Sequence, residues 1–168
     1  MNKWFDVDEK TIGINYRSKD RFVTLMFDKE DYPLVSQYRF CICTSGYAQC
    51  KKGKTKDNWI MAHNLIMNPP EGFEVDHIYG NRLDNRKGNL RICTHLQNQK
   101  NRRSKKKYMG VYKDNFTIPR TVRYYTQIKI NGKNKHIAYC KTEKEAAMAY
   151  NEAAKKYYGE FACLNIID

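Results

Sequence analysis

The chain of 168 residues is long enough for one domain or two small ones, and its 41% hydrophobic and 29% charged residues predict a soluble, folded protein. Its 31 Lys and Arg outnumber its 18 Asp and Glu, and the net charge of +13 indicates a polyanionic partner, of which nucleic acid is the usual one. No apolar run approaches the ~18 residues that a membrane span needs, and no amphipathic basic helix for a membrane surface is evident.

The N-terminal sequence MNKWFDVDEK has no apolar stretch that could serve as a signal peptide, so we expect an intracellular protein. In that setting the six cysteines are expected to be reduced thiols that fill strands as small apolar side chains. A zinc site is the alternative for Cys41, Cys43, Cys50 and Cys93. Their spacing is poor for zinc and no C-x-x-C pair occurs, so we expect no structural zinc.

Residues 1–58 are predicted to form a β-rich region. TIGINY (11–16) and RFVTLMF (21–27), with a polar turn between them, predict a hairpin. Asp28 is then expected to cap a short helix that runs to about Gln37. Residues 39–44 and 47–51 predict a second hairpin that turns at Ser45-Gly46, and a basic loop follows at 51–57.

Residues 59–101 are predicted to form one strand–loop–strand–helix unit after an apolar segment. The apolar segment WIMAHNLIM ends at Asn68-Pro69-Pro70. A short strand is expected over Phe73–His77, then a polar loop, and then a second strand over Leu90–Cys93. Thr94 begins the helix, because Gln97 three residues later completes a capping box.

Phosphodiester hydrolysis needs a nucleophilic water, positive charge beside the transition state and help for the leaving oxygen. One His as base and one divalent metal held by hard oxygen ligands can supply these. His77 at the end of the first strand is the candidate base. The Asp76 carboxylate and the Asn98 amide oxygen are the candidate ligands of Mg²⁺, with Mn²⁺ as the alternative metal.

The segment VDHIYGNRLDNRKGNLRICTHLQNQKN resembles the HNH endonucleases, whose active site is a ββα-metal unit. The resemblance implies that His77 is the general base and that Asp76 and Asn98 bind the metal. It also implies that Asn89 hydrogen-bonds backbone and supports the loop around the His. This is the Asp-His-Asn-Asn variant. The spacings, twelve residues from His77 to Asn89 and nine from there to Asn98, suit phage and intron-encoded members.

The family resemblance implies a site-specific DNA endonuclease, in the first place a homing endonuclease carried by a phage or mobile intron. A restriction endonuclease with the same chemistry and a non-cleaving DNA-binding regulator are the alternatives. Double-stranded DNA is the expected partner of a monomer or homodimer.

Several neighbours of the motif are expected to have supporting or alternative roles. Asn101 is the fallback for Asn98, and Asp84 and Asn85 are expected to stabilise the loop. Arg91 is expected either to contact phosphate or to be an exposed strand residue. The remaining histidines of this region, His63 and His95, are expected to be structural or to contact DNA.

A basic segment, QKNRRSKKK (99–107), predicts a linker over residues 102–107 that also follows the phosphate backbone. Its candidate DNA-binding residues are Lys100, Arg102, Arg103, Lys105 and Lys106.

Residues 108–168 predict a small antiparallel sheet packed on one helix. Val122 to Asn131 alternate between apolar and polar side chains, which indicates a half-buried strand. Asn131-Gly132 predicts a hairpin turn, and Lys133–Cys140 is the return strand. Thr142 and Glu145 predict the capping box of the helix. Its expected apolar face consists of Ala146, Ala149, Tyr150, Ala153 and Tyr157.

The segments YMGVYK and YYTQIKINGKNKHIAYCKTEKEAAMAYNEAAKKYYGEFACLN resemble the DNA-binding domain of plant ethylene-response factors, as found fused to phage HNH endonucleases. The resemblance implies a three-stranded sheet in the major groove. Tyr124 replaces the usual Trp, and DNFTIPRTVR is longer than the usual first turn. The whole chain is therefore expected to be α+β, a ββα-metal unit plus this sheet. The implied DNA contacts are Arg123, Tyr125, Gln127 and Lys129 on the exposed face, with Lys133 and Lys135 near phosphates.

Overall fold

The structure, a computed structural model, describes residues 3–18, 21–53, 58–102, 104, 106–114 and 123–167, without the side chains of residues 18 and 21. The fold is α+β with small antiparallel sheets, as predicted. The chain divides into two compact units, Met1–Asn98 and Gln99–Asp168. Within the described ranges, no helix is both long and apolar enough to cross a membrane.

The first sheet of the first unit contains the predicted hairpin and one additional strand. Its strands are β1 (Trp4–Asp6), β2 (Thr11–Ser18) and β3 (Arg21–Asp28), in the order β1-β2-β3. The alternate side chains Ile12, Ile14, Leu25 and Phe27 are buried, as a period of two requires. Each such burial contributes about 1.5–3 kcal/mol to stability.

The helix expected after Asp28 is shorter than predicted, and Asp28 does not cap it. A 3₁₀ turn at Lys29–Asp31 leads into α1 (Tyr32–Val35), and the Asp28 side chain makes no capping hydrogen bond. Its Oδ2 atom accepts instead from the backbone N–H of Lys87, at 2.7 Å. The carboxylate therefore stabilises a distant loop in place of the helix terminus.

The second sheet consists of β4 (Phe40–Ile42), β5 (Ala48–Lys51) and β6 (Trp59–Met61), in that order. The predicted hairpin between β4 and β5 is confirmed. Residues 54–57 of the expected basic loop lie outside the described residues. The helix α2 (Ala62–Met67) follows β6, and Asn68 caps its C-terminus with a left-handed φ of 42°.

The predicted strand–loop–strand–helix unit is confirmed. Its elements are β7 (Glu74–His77), β8 (Leu90–Cys93) and α3 (His95–Asn98), and the two strands pair antiparallel. The capping box is present: the Thr94 N–H donates to Gln97 Oε1 at 2.8 Å, and the Gln97 N–H donates to Thr94 Oγ1 at 3.3 Å.

The first sheet also holds the loop between β7 and β8. The Met26 N–H donates to the Leu83 carbonyl, and the Asn85 N–H donates to the Met26 carbonyl, both at 2.9 Å. Lys87 adds ion pairs to Glu30 at 2.6 Å and Asp31 at 2.9 Å. The hydrophobic core of the unit comprises Ile12, Ile14, Leu25, Phe27, Val35, Phe40, Ala48, Cys50 and Ala62.

The second unit is a three-stranded antiparallel sheet packed on one helix, as predicted. Its elements are β9 (Val111–Asp114), β10 (Arg123–Ile130), β11 (Lys133–Cys140) and α4 (Glu143–Tyr158), with the sheet order β11-β10-β9. The Asn131-Gly132 turn is confirmed, with φ values of 49° and 80°, and so is the capping box of Thr142 and Glu145. Val122, expected in this strand, lies outside the described residues.

The buried face of α4 differs from the predicted face. Tyr157, which was expected in the core, is 37% exposed. The buried positions of α4 carry small side chains. Small side chains allow the helix backbone to approach the sheet closely. These buried positions are Ala146, Ala147, Ala153 and Ala154.

Candidate active site

The strand β7 ends in two consecutive buried residues, Asp76 and His77, with relative exposures of 6% and 5%. Successive side chains of a strand point to opposite faces. Asp76 accordingly turns toward Arg91 on β8, and His77 turns toward Tyr47 and His63. The two predicted functional residues therefore have different surroundings.

Asp76 forms a close ion pair with Arg91, which lies directly opposite it in the sheet. Arg91 Nε and Nη2 both donate to Asp76 Oδ2, at 2.9 and 2.6 Å. The expectation of an exposed strand arginine is therefore wrong, because the Arg91 side chain is only 12% exposed. Because two nitrogens of Arg91 donate to the same oxygen, the orientation of the Asp76 carboxylate is fixed.

Asn98 is held by Glu74, which lies outside the four motif residues. Asn98 Nδ2 donates to Glu74 Oε2 at 2.6 Å, and His95 Nδ1 lies 2.7 Å from Glu74 Oε1. These bonds lower the pKa of Glu74, with that from Asn98 the larger cause. Glu74 lies two residues before Asp76 on the same face of β7, and this spacing was the available signal.

The oxygen ligands of the predicted metal site fit a hard divalent cation. A carboxylate only accepts, so the Glu74 contact assigns the nitrogen of the Asn98 amide and leaves its oxygen as the ligand atom. In the described part of the chain, no group of three or more His, Cys, Asp or Glu side chains could hold a metal. Asp76 and Asn98 remain the predicted ligands, and each carries an oxygen atom of the kind that a hard divalent cation prefers.

Asn89 is buried and makes hydrogen bonds within the loop that follows His77. Its Oδ1 accepts from the Tyr79 N–H at 3.0 Å, and its Nδ2 donates to the Asp84 carbonyl at 2.8 Å. The Ile78 N–H also donates to the Asn89 carbonyl at 2.8 Å. These bonds join the two ends of the loop beside His77, which is the supporting geometry that the family resemblance implies.

The predicted loop-stabilising role of Asp84 is confirmed, whereas Asn85 contributes to the loop through its backbone N–H, which donates to the Met26 carbonyl. Asp84 accepts from Arg86 Nε at 2.8 Å and from Arg86 Nη2 at 2.7 Å. Asn85 is fully buried. The fallback ligand Asn101 lies in a 3₁₀ turn, Gln99–Asn101, of the second unit.

The surroundings of His77 favour its neutral form. Burial lowers the pKa of His77 below its ordinary value, and Arg82 adds to this effect. The neighbouring Asn85 amide and the charges of Asp76 and Asp84 act in the opposite direction. A neutral imidazole is the form that can accept a proton from water.

Two aromatic side chains from outside the sequence motif pack around His77. The ring centroid of His63 lies 5.0 Å from that of His77, and the Tyr47 ring lies 5.7 Å from His77. His63 is 8% exposed, and burial together with His77 lowers its pKa to about 4. Within the described residues, His63 Nδ1 has no hydrogen-bond partner.

In the second unit, the outer face of the sheet carries the predicted DNA-contacting residues Arg123, Tyr125, Gln127 and Lys129. Arg123 also donates to Asp114 at 2.9 Å. Lys133 and Lys135 lie on the other face, because they pair with Ile130 and Ile128. Both are exposed on the edge strand, and Lys135 donates to the Tyr157 hydroxyl at 2.9 Å.

A β-bulge brings the His136 side chain onto the outer face, where Tyr139 already lies opposite Tyr125. Thr126 pairs with Ala138 but Gln127 pairs with His136, so Ile137 is the extra residue. His136 and Tyr139 thereby share the outer face, with ring centroids 4.5 Å apart. A row of rings crosses the three strands, since Tyr125 lies 5.2 Å from Tyr112 and 6.2 Å from Tyr139.

Among the described residues of the basic segment, Lys106 places its cation beside this row. Lys106 Nζ lies 4.2 Å from the centroid of the Tyr112 ring. Lys100 Nζ lies 4.9 Å from the Tyr158 ring, and Arg102 is exposed. Arg103 and Lys105 were also predicted to bind DNA, and they lie outside the described residues.

Comparisons with known proteins agree with the resemblance of the central region. Residues 68–100 match the model of a family described as HNH endonuclease. An uncharacterized HNH endonuclease of Acanthamoeba polyphaga mimivirus is 33% identical over 154 residues, which are 90% of this chain and 79% of the relative. No solved structure gives a significant match.

Proposed function

Because this chain belongs to the HNH endonuclease family, we propose that it hydrolyses phosphodiester bonds of double-stranded DNA with one divalent cation and a histidine base. The observation that carries the proposal is the position of His77. It is buried at the end of β7, next to a carboxylate ligand and a loop braced by Asn89. The net charge of +13 supports a polyanionic substrate.

In the proposed reaction, His77 accepts the proton of the attacking water. Asn89 maintains the loop geometry that orients this imidazole, and Arg91 and Glu74 orient Asp76 and Asn98. A divalent cation held by these two ligands would supply positive charge to the phosphate and to the departing 3′ oxygen. Mg²⁺ is the proposed ion and Mn²⁺ the alternative, since both accept oxygen ligands. The products would carry 5′-phosphate and 3′-hydroxyl ends.

We further propose that the second unit reads DNA as ethylene-response-factor domains do, with the outer face of its sheet in the major groove. Two observations support this proposal. The sheet has the order β11-β10-β9 and packs on one helix, and its outer face carries aromatic rings with a lysine beside them. Lys133 and Lys135 would reach phosphates only from the sheet edge. Replacing Tyr125 by Ala in the full chain should weaken DNA binding, and unchanged affinity would contradict this role.

The proposed biological role is that of a homing endonuclease acting inside the cell, where its DNA substrate lies. A restriction endonuclease would use the same chemistry, and a non-cleaving regulator would bind DNA without hydrolysis. Digesting random DNA libraries separates the first two, because a homing enzyme is expected to require a long site and a restriction enzyme a short one.

Nicking of supercoiled plasmid DNA tests the enzyme proposal. The full chain should nick plasmid carrying candidate sites in Mg²⁺ or Mn²⁺ and should stop in EDTA. His77→Ala should reduce the rate by about 10²–10⁴-fold, as expected for loss of a general base. Glu71→Ala, which removes an exposed charged side chain of the same unit to which no role in the site is assigned, is the control. If His77→Ala nicked as fast as the wild type, the role of His77 as general base would be contradicted. If the wild type did not nick across metals and salts, the proposed nuclease activity would be contradicted.

A further inference from the structure

Three arginines lie in or beside the loop that follows His77, and they differ in their partners. Arg86 is paired with Asp84, and Arg91 is paired with Asp76. Arg82 forms no ion pair with any carboxylate in the described part of the chain. It is therefore the arginine of this group whose charge remains available to a ligand.

Arg82 is held in place by the turn between β4 and β5. Its Nη1 donates to the Ser45 carbonyl at 2.7 Å, and its Cζ lies 4.7 Å from the centroid of the Tyr47 ring. Arg82 is exposed, and among the described residues its side chain donates to the Ser45 carbonyl. A guanidinium has five N–H donors, so most of them remain for another acceptor.

The platform under Arg82 also contacts the candidate base. The Tyr47 ring centroid lies 5.7 Å from that of His77, so one ring contacts both the guanidinium and the imidazole. A water activated by His77 must attack a phosphorus atom within a few ångströms of that imidazole. The DNA phosphates nearest the reaction therefore come within reach of Arg82.

We propose that Arg82 binds a backbone phosphate of the DNA next to His77, with Tyr47 as the platform that holds its guanidinium. The inference rests on the proposed DNA substrate. The planar guanidinium matches phosphate oxygens with paired N–H donors. Holding the side chain against Tyr47 and Ser45 before DNA binds reduces the entropy lost on binding.

The test measures how the DNA affinity of the full chain depends on salt. Binding to a fluorescent duplex is followed by anisotropy over a KCl series, with EDTA present so that the DNA stays intact. Each phosphate contact adds about 0.9 to the slope of log affinity against log salt. Arg82→Gln and Arg82→Met should each reduce the magnitude of the slope by about 0.9, whereas Arg82→Lys should retain it.

Lys87→Gln is the matched control, because it removes one positive charge from the same loop. Lys87 is already paired with Glu30 and Asp31, so its loss should leave the slope at the wild-type value. An unchanged slope in both neutral Arg82 variants, or a reduction in Lys87→Gln equal to that in the Arg82 variants, would overturn this inference. Either outcome would leave the proposed DNA substrate intact. No DNA binding by the wild type at low salt would overturn the proposed substrate and the inference with it.

Discussion

The imidazole of His63 stands edge-on to the imidazole of His77, with ring centroids 5.0 Å apart and planes at 87°. The Tyr47 ring contacts both, at 5.5 Å from His63 and 5.7 Å from His77. His63 belongs to α2 and Tyr47 immediately precedes β5, so neither lies in the strand–loop–strand unit that carries the motif. The orientation of the proposed base therefore depends on aromatic packing from outside the motif.

We expect His63→Ala to reduce the cleavage rate at saturating DNA by about tenfold without changing DNA affinity. The substitution removes the ring that packs against His77, and a loosely held base loses its near-attack geometry. His63→Phe keeps a flat ring in this position and should recover most of the rate. Single-turnover kinetics and binding measured in EDTA separate the two effects.

Leu65→Ala is the control for general loosening of the same helix, because Leu65 packs against the core of the first unit. It should lower the melting temperature but keep the single-turnover rate of the folded protein. A His63→Ala rate equal to that of Leu65→Ala would contradict a positioning role.

Acidification should destabilise the first unit through His63. Its pKa is lowered from 6.5 to about 4 in the folded protein, mainly by burial. The unfolded chain therefore binds a proton at a higher pH than the folded chain, and stability falls as the pH drops from about 6.5 to about 4. Across this pH window, the protonation of His63 should lower the free energy of unfolding by about 3 kcal/mol.

Urea unfolding at a series of pH values measures this contribution by comparing the wild type with His63→Phe. The Phe variant lacks the titrating group, so the difference in unfolding free energy should change across that pH window. Parallel curves for the two proteins would contradict the assignment.

Replacing Asn89 by Ala should impair both stability and cleavage. The change leaves the half-buried Tyr79 N–H and the buried Asp84 carbonyl without their partner, and an unsatisfied buried group costs about 1–3 kcal/mol. Thermal unfolding and single-turnover cleavage are the measurements. Asn81→Ala is the control in the same loop, since Asn81 is exposed and its side chain accepts a hydrogen bond from the Leu83 N–H. Comparable effects of the two substitutions would contradict a special role for Asn89.

Gly110→Ala should severely destabilise the second unit. Gly110 has a φ of +68°, and an added Cβ would overlap the Tyr150 ring and lie 2.7 Å from the Gln127 carbonyl oxygen. Gly132→Ala is the matched control, with a φ of +80° and no atom within 4 Å of the added Cβ. The control should cost only about 1–2 kcal/mol of backbone strain. Calorimetric melting distinguishes them, and equal losses would show that the ring contact contributes nothing.

Local sequence patterns determined most of the secondary structure of this protein. The alternation of Thr126 and Ile128 with polar neighbours predicted β10, and Asn131-Gly132 predicted its turn. The capping boxes at Thr94 and Thr142 placed the starts of α3 and α4. These signals are local because steric limits and backbone hydrogen bonds act over a few residues. The motif likewise placed Asp76 and His77 at the end of β7.

Only the tertiary structure decided which side chains surround those positions. Asp28 was expected to cap a helix, yet its carboxylate binds the Lys87 N–H, which is distant in sequence. Glu74, His63 and Tyr47 became neighbours of the motif residues through strand pairing and ring packing. The partners of Arg82, Arg86 and Arg91 distinguish three residues that look alike in the sequence. Contacts between distant segments depend on how whole elements pack, and no local pattern encodes them.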